Sequence, residues 1–150
     1  MEVNMKALRF AAYGILGGLL VACGGTPATT ATSSPSPTGT VVIVTKTDAA
    51  HATFLVAASN QMTLYTFTKD TPGVSTCTSA GCVKNWPLLS VTAGTTIAAG
   101  SGITGQLSTI SRADGVTQVT YKGLPLYFYY KDVAVGDVTG VYTNWELAKP

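Results

Sequence analysis

The sequence predicts an all-β domain over residues 40–150, with antiparallel sheets in a sandwich-like arrangement, built from two pseudo-symmetric hairpin repeats. Three observations predict it. Apolar and β-branched residues alternate in short runs, the period of strands. Turn dipeptides punctuate those runs, most sharply Asp114-Gly115 and Lys122-Gly123. One phrase is also written twice: "LYTFTKD" at residues 64–70 returns as "LYFYYKD" at 126–132.

The elements follow in order. "TVVIVTKT" (40–47) is β-branched and nearly continuous, and "ATFLVAA" (52–58) follows it. "SN" turns the chain, and "MTLYTFT" (62–68) returns. "LLSVTAGTTIAAG" (88–100) reads as irregular chain or short strand. "STISR" (108–112) meets "VTQVTY" (116–121) across Ala113-Asp114-Gly115, where Asp and Gly both favour positive φ. Lys122-Gly123 turns the chain into "LPLYFYY" (124–130), and "VYTNWELA" (141–148) is the last strand. No amphipathic helix pattern is present, and no helix start is evident.

The repeat aligns Tyr65 with Tyr127, Phe67 with Tyr129, Lys69 with Lys131 and Asp70 with Asp132. Each copy then closes on Asn-Trp, as Asn85-Trp86 and Asn144-Trp145. This marks an internal duplication, with repeat one at about 50–90 and repeat two at about 108–148. Two such copies are expected to pack into one core about an approximate two-fold axis. On a strand, Tyr65 and Phe67 share one face, and Tyr127 and Tyr129 share the equivalent one. The plain role for these aromatics is core filling. Each Asp then accepts backbone N–H bonds that fix the following turn, and each buried Tyr hydroxyl finds backbone nearby.

Sharper roles are also open. Asp70, Asp132 and Asp137 offer oxygen ligands to Ca²⁺, though one Asp per loop makes a poor cage. The aromatic run "YFYY" (127–130), with Trp86 and Trp145, could line a groove for a glycan, a quinone or a partner chain.

The first 39 residues read differently. Lys6 and Arg9 precede the apolar run "FAAYGILGGLL" (10–20), which is too short to span a bilayer and has the size of a secretory segment. It ends in "LVAC" (20–23), which resembles the lipobox of bacterial lipoproteins. That resemblance implies a signal peptide over residues 1–22 and a diacylated Cys23 as the new N-terminus. Two acyl chains anchor stably. Met5 is an alternative start. Residues 24–39, "GGTPATTATSSPSPTG", carry no charge and no large apolar side chain, so residues 23–39 read as a lipidated Cys and flexible tether. A glycosylated stalk is the other reading of its Thr and Ser.

Composition excludes several classes. Hydrophobic residues make up 46% of the chain and charged residues 11%, so the domain can bury a core. The net charge of +2 falls to about +1 once Glu2, Lys6 and Arg9 are removed, with no basic stripe for nucleic acid. Cys77 and Cys82, in "CTSAGC", form an even pair in an exported chain and are expected to bridge. The alternative redox pair lacks C-x-x-C spacing. The single His51 cannot make a blue-copper site, and no G-x-S-x-G supports it in a triad. "GSGITG" (100–105) matches a nucleotide-binding pattern but has no βαβ context, so it reads as a loop. The scattered carboxylates give no glycosidase pair. No catalytic residue, metal or cofactor is therefore expected, and the chain is not expected to be an enzyme.

The repeated phrase carries a family resemblance. Tyr65, Phe67 and Asp70, then Tyr127, Tyr129 and Asp132, fit the Tyr-x-[Phe/Trp/Tyr]-x-x-Asp signature of the bacterial secreted-repeat lipoproteins. The resemblance covers nearly all of residues 50–150. It implies an extracytoplasmic lipoprotein of unknown function and supplies no catalytic residues. Together these readings give a lipid-anchored, non-catalytic binding or interaction module on the cell membrane or outer membrane. Its partner would be an envelope protein or a small ligand. A redox or electron-transfer accessory is the alternative.

Overall fold

The computed structural model describes residues 40–150. The signal segment, Cys23 and the tether lie outside the described residues. Among the described residues, nine strands and one short helix follow in order: β1 (Thr40–Asp48), β2 (Ala52–Ala57), β3 (Tyr65–Phe67), α1 (Ala80–Asn85), β4 (Ser90–Val91), β5 (Thr96–Ala99), β6 (Leu107–Ser111), β7 (Thr117–Tyr121), β8 (Leu124–Pro125) and β9 (Trp145–Leu147).

They form three small sheets, in the orders β2-β1-β5, β3-β9 and β4-β7-β6, with β8 added to β7. The class is all-β, as expected. The pairing is antiparallel except between β1 and β5, which run parallel with Thr40 opposite Thr96. The segment joining the two repeats carries β5 back alongside β1, and such a crossover reverses the expected sense.

The internal symmetry is visible in the backbone bonds. Leu64 N donates to Leu55 O, as Leu126 N donates to Val119 O. Ala148 N donates to Leu64 O, as Leu89 N donates to Leu126 O. Leu55 N donates to Ala148 O, as Val119 N donates to Leu89 O. These bonds make β2 the counterpart of β7. The hairpin partners β1 and β6 are therefore counterparts too, so the structural repeat begins upstream of residue 50.

Several elements differ from their sequence expectations. The strands expected over 124–130 and 141–148 are short: β8 covers only Leu124–Pro125 and β9 only Trp145–Leu147. Beyond Pro125, Leu126 N still reaches Val119 O, but Val119 N donates to Leu89 O instead of back to Leu126, and the ladder stops there. Asn144, at φ +69, turns the chain immediately before β9. At the β6–β7 hairpin only Gly115 takes positive φ (+80), while Asp114 instead caps the turn by accepting from Val116 N at 3.1 Å. The Lys122-Gly123 turn does place both residues in the left-handed region, at φ +51 and +82.

Helix α1 is the element the sequence hid. Ser79 caps it, with its hydroxyl accepting from Cys82 N at 3.2 Å. Six residues including Gly81 are too few to show a helical period. The helix starts inside the loop closed by the Cys77–Cys82 disulfide, whose Cα atoms are 5.5 Å apart, and runs on past Cys82 to Asn85.

Two cores result. One is largely aliphatic, around Ile43, Leu55, Leu64, Val119 and Leu126. The other is aromatic, holding Tyr65, Trp86, Tyr127, Tyr129 and Trp145 with Cys77. The aromatic core contains the aromatic residues Tyr65, Phe67, Tyr127 and Tyr129 of both signature copies, while Leu64 and Leu126 sit in the aliphatic one.

Candidate functional site

The two copies of the signature meet at its first residue. Tyr65 N donates to Tyr127 O at 2.8 Å, and Tyr127 N donates to Tyr65 O at 3.0 Å. This reciprocal pair brings the two strands side by side with both rings fully buried. Each hydroxyl then reaches the carboxylate of the other repeat. Tyr65 donates to Asp132 Oδ2 at 2.6 Å, and Tyr127 donates to Asp70 Oδ2 at 2.6 Å. The second oxygen of each Asp fixes its own loop. Asp70 Oδ1 accepts from Thr76 N (2.7 Å) and Thr76 Oγ1 (2.8 Å). Asp132 Oδ1 accepts from Thr139 N (2.9 Å) and Thr139 Oγ1 (2.6 Å). All three partners of each Asp are donors, which suits an acceptor-only carboxylate.

Both hydroxyls resist ionisation. Burial, then the hydrogen bond to Asp132, pushes Tyr65 far above the ordinary tyrosine range. Burial, then the bond to Asp70, does the same to Tyr127. The Asp residues therefore close turns, as the sequence suggests, and they also lock each repeat to its neighbour.

The tryptophans repeat this exchange. Trp86 and Trp145 stack face to face, with ring centroids 3.6 Å apart and planes inclined by 4°. Phe67 of repeat one stacks on Trp145 of repeat two at 4.3 Å. Tyr129 of repeat two packs on Trp86 of repeat one at 4.5 Å. Each copy's third signature residue thus covers the other copy's tryptophan.

The symmetry breaks in the surroundings. Gly140 N donates to the Tyr65 hydroxyl at 3.1 Å. The Tyr127 hydroxyl instead shares a 2.7 Å bond with Ser75 Oγ, which also accepts from Arg112. The Arg112 side chain is only 4% exposed. Its other N–H groups reach Gln118 Oε1, Cys77 O and the Asp114 carboxylate at 3.0–3.3 Å. A buried cation with this many acceptors is satisfied, so Arg112 ties repeat two to the disulfide loop.

At the surface end of the aromatic core, Asn85, Trp86, Tyr129, Tyr130, Tyr142 and Trp145 line a shallow cleft of about 210 Å³. Tyr130 and Tyr142 are 48% and 51% exposed. Tyr129 donates to the Tyr142 hydroxyl at 3.0 Å, and that bond, with burial, pushes Tyr129 up to about 12.

The two copies of the phrase thus answer each other atom for atom across one core. A family model described as a secreted repeat of unknown function matches residues 55–90 and 108–149. The chain belongs to the secreted-repeat family. No curated protein and no solved structure matches it. The two matched segments of this secreted repeat are the two halves that exchange partners. As a secreted-repeat protein, it is extracytoplasmic.

The other candidates fall out as follows. Asp137 caps its own loop through Val133 N and Ala134 N, both at 2.8 Å. Among the described residues no three His, Cys, Asp or Glu side chains converge, so Asp70, Asp132 and Asp137 are not brought together for Ca²⁺. His51 Nδ1 sits 3.0 Å from Asp48 Oδ2 in the β1–β2 turn. The "GSGITG" segment lies in the connection between β5 and β6, with Gly102 at φ +82. Sequence reasoning missed Thr76, Thr139, Ser75, Arg112, Gln118 and Tyr142. Only the two threonines left a signal, each following a signature Asp by six or seven residues.

Proposed function

We propose that this secreted repeat is a lipid-anchored, non-catalytic interaction module of the bacterial cell envelope. Cys23 is the lipidated residue in this reading. Residues 24–39 are the spacer between that anchor and the domain in this reading. One observation carries the module reading. The repeated signature is consumed in holding two halves together, and the rigid core so formed presents a half-exposed aromatic cleft. Rigid scaffolds that display a few exposed aromatics suit recognition, because little side-chain freedom is lost on binding.

The test is labelling of cells with an alkyne-bearing fatty acid, followed by cross-linking. The wild-type chain is expected to take up the label and to cross-link to a defined envelope component. The Cys23→Ser chain is expected to lose the label. Label on the Cys23→Ser chain contradicts the anchor. Turnover of a substrate by the purified chain contradicts the non-catalytic assignment.

A redox accessory is the second reading. It is favoured by the disulfide lying against the stacked Trp86–Trp145 pair in one aromatic cluster. Unchanged redox phenotypes in a Cys77→Ser/Cys82→Ser strain would remove it.

A further inference from the structure

We infer that the cleft beside Trp86 is a subsite for one pyranose ring of a neutral or acidic glycan, a proposal that rests on the interaction-module reading above. The argument starts from shape. A volume of about 210 Å³ is below the ~300–1,000 Å³ of sites that enclose a whole drug-sized ligand. A cleft of this size holds one ring of a longer chain that continues into solvent.

The lining selects the ring. Tyr130 and Tyr142, about half exposed, supply the open ring surface, inclined at 79° and 58° to Tyr129, which is buried against Trp86. Aromatic faces carry negative quadrupole density. The C–H face of a pyranose presents weakly positive hydrogens to such faces, while its hydroxyls project sideways. The rim meets those hydroxyls with polar groups. Tyr142 accepts from Tyr129 and so keeps its own proton to donate. The Asn85 side chain is exposed at the rim, and its backbone carbonyl is already taken by Tyr130 N at 3.0 Å.

Charge disfavours a cationic occupant. Aromatic clefts also bind quaternary ammonium groups. Here Lys131 Nζ already lies 5.6 Å over the Tyr130 ring. Lys84 directly precedes Asn85, and no carboxylate lines the cleft. A cationic ligand would meet like charge with no counter-ion. A sugar, neutral or carrying a carboxylate, would not.

The experiment is a tryptophan-fluorescence titration of the full chain in detergent micelles. The probes are chitotetraose and soluble, uncross-linked peptidoglycan strands, with tetramethylammonium as the competing probe. A saturable response to at least one glycan is expected. It should weaken about tenfold, or ~1.4 kcal/mol, in Tyr142→Ala and in Tyr130→Ala. Tyr130→Ala should melt with the wild type, since its ring is half exposed; Tyr142→Ala also strips the buried Tyr129 hydroxyl of its acceptor, so Asn85→Ala stands in for it if its melt falls. No response to either glycan overturns the inference. So does a glycan response untouched by all three substitutions, or tighter binding of tetramethylammonium. Silent glycan titrations beside retained cross-linking to an envelope partner overturn only the sugar assignment. Loss of both overturns the module reading as well.

Discussion

Replacing Tyr65 with Phe removes one oxygen and leaves the ring. That oxygen donates to Asp132 Oδ2 at 2.6 Å and accepts from Gly140 N at 3.1 Å in a fully buried site. Hydrogen bonds to charged groups contribute ~1.5–3 kcal/mol, and a buried group left without a partner costs ~1–3 kcal/mol. These two figures describe overlapping losses, so the expected destabilisation is about 2–3 kcal/mol. Asp132→Ala should cost at least as much, since it also releases Thr139. The decisive quantity is the coupling. Urea unfolding followed by tryptophan fluorescence gives each free energy, provided the slope with denaturant stays constant. Tyr65→Phe combined with Asp132→Ala, across repeats, should show coupling of about 1–2 kcal/mol. Tyr65→Phe combined with Asp70→Ala, within one repeat, should be additive to within roughly 0.5 kcal/mol. Coupling within the repeat, with additivity across it, would refute the exchange of partners.

Three further predictions follow from the same core. Tyr65 and Tyr127 have folded pKa values raised by burial and by their Asp partners, so their stabilising contribution is whole below the unfolded tyrosine value near ~10. It is lost as pH climbs above that value, because the unfolded chain deprotonates first. Absorbance at 295 nm should therefore show late-titrating tyrosines that ionise only as the circular dichroism collapses. Ionisation of every tyrosine in a still-folded chain contradicts this. A Cβ added at Gly140 would sit 2.7 Å from Tyr65 Cζ and 2.9 Å from Tyr129 Cβ, so Gly140→Ala should destabilise by about 1–3 kcal/mol in urea unfolding. Gly81→Ala, in open space within α1, should not destabilise. Cys77→Ser/Cys82→Ser should cost only about 2 kcal/mol, because the bridge spans just five positions, and the melt should stay cooperative.

The all-β class was legible because strand periodicity and turn residues are local signals. Asp114-Gly115 and Lys122-Gly123 mark their hairpins in the chain itself. The duplication was legible because both copies keep Tyr, an aromatic and Asp at fixed spacing. Which Tyr bonds which Asp was not legible. Tyr65 lies five residues from Asp70 and 67 from Asp132, and nothing in the spacing favours the distant partner. That choice is made by the antiparallel bridge between Tyr65 and Tyr127, a tertiary fact. Arg112 was hidden for a similar reason, since Ser75 and Cys77 reach it from a loop more than thirty residues away in the chain. The parallel β1–β5 pair arises from a crossover, which no local pattern encodes. Helix α1 was too short to show its period, and its Ser79 cap did not stand out as a helix start in "CTSAGC". The cleft was half legible. "YFYY" with Trp86 and Trp145 pointed to it, but Tyr142 joins only through the fold.

The claim that two repeats complete each other is tested most directly by cutting the chain. A break after Gly102, between β5 and β6, separates β3 from β9 and β4 from β7. Each fragment then keeps a signature Tyr whose Asp partner is on the other fragment. The account predicts that residues 40–102 and residues 103–150 are each unfolded alone, by dispersion of their amide NMR spectra. Mixed in equal amounts, they should give the spectrum of the intact domain. A fragment that folds alone, with its Tyr bonded to its own Asp, would contradict the account.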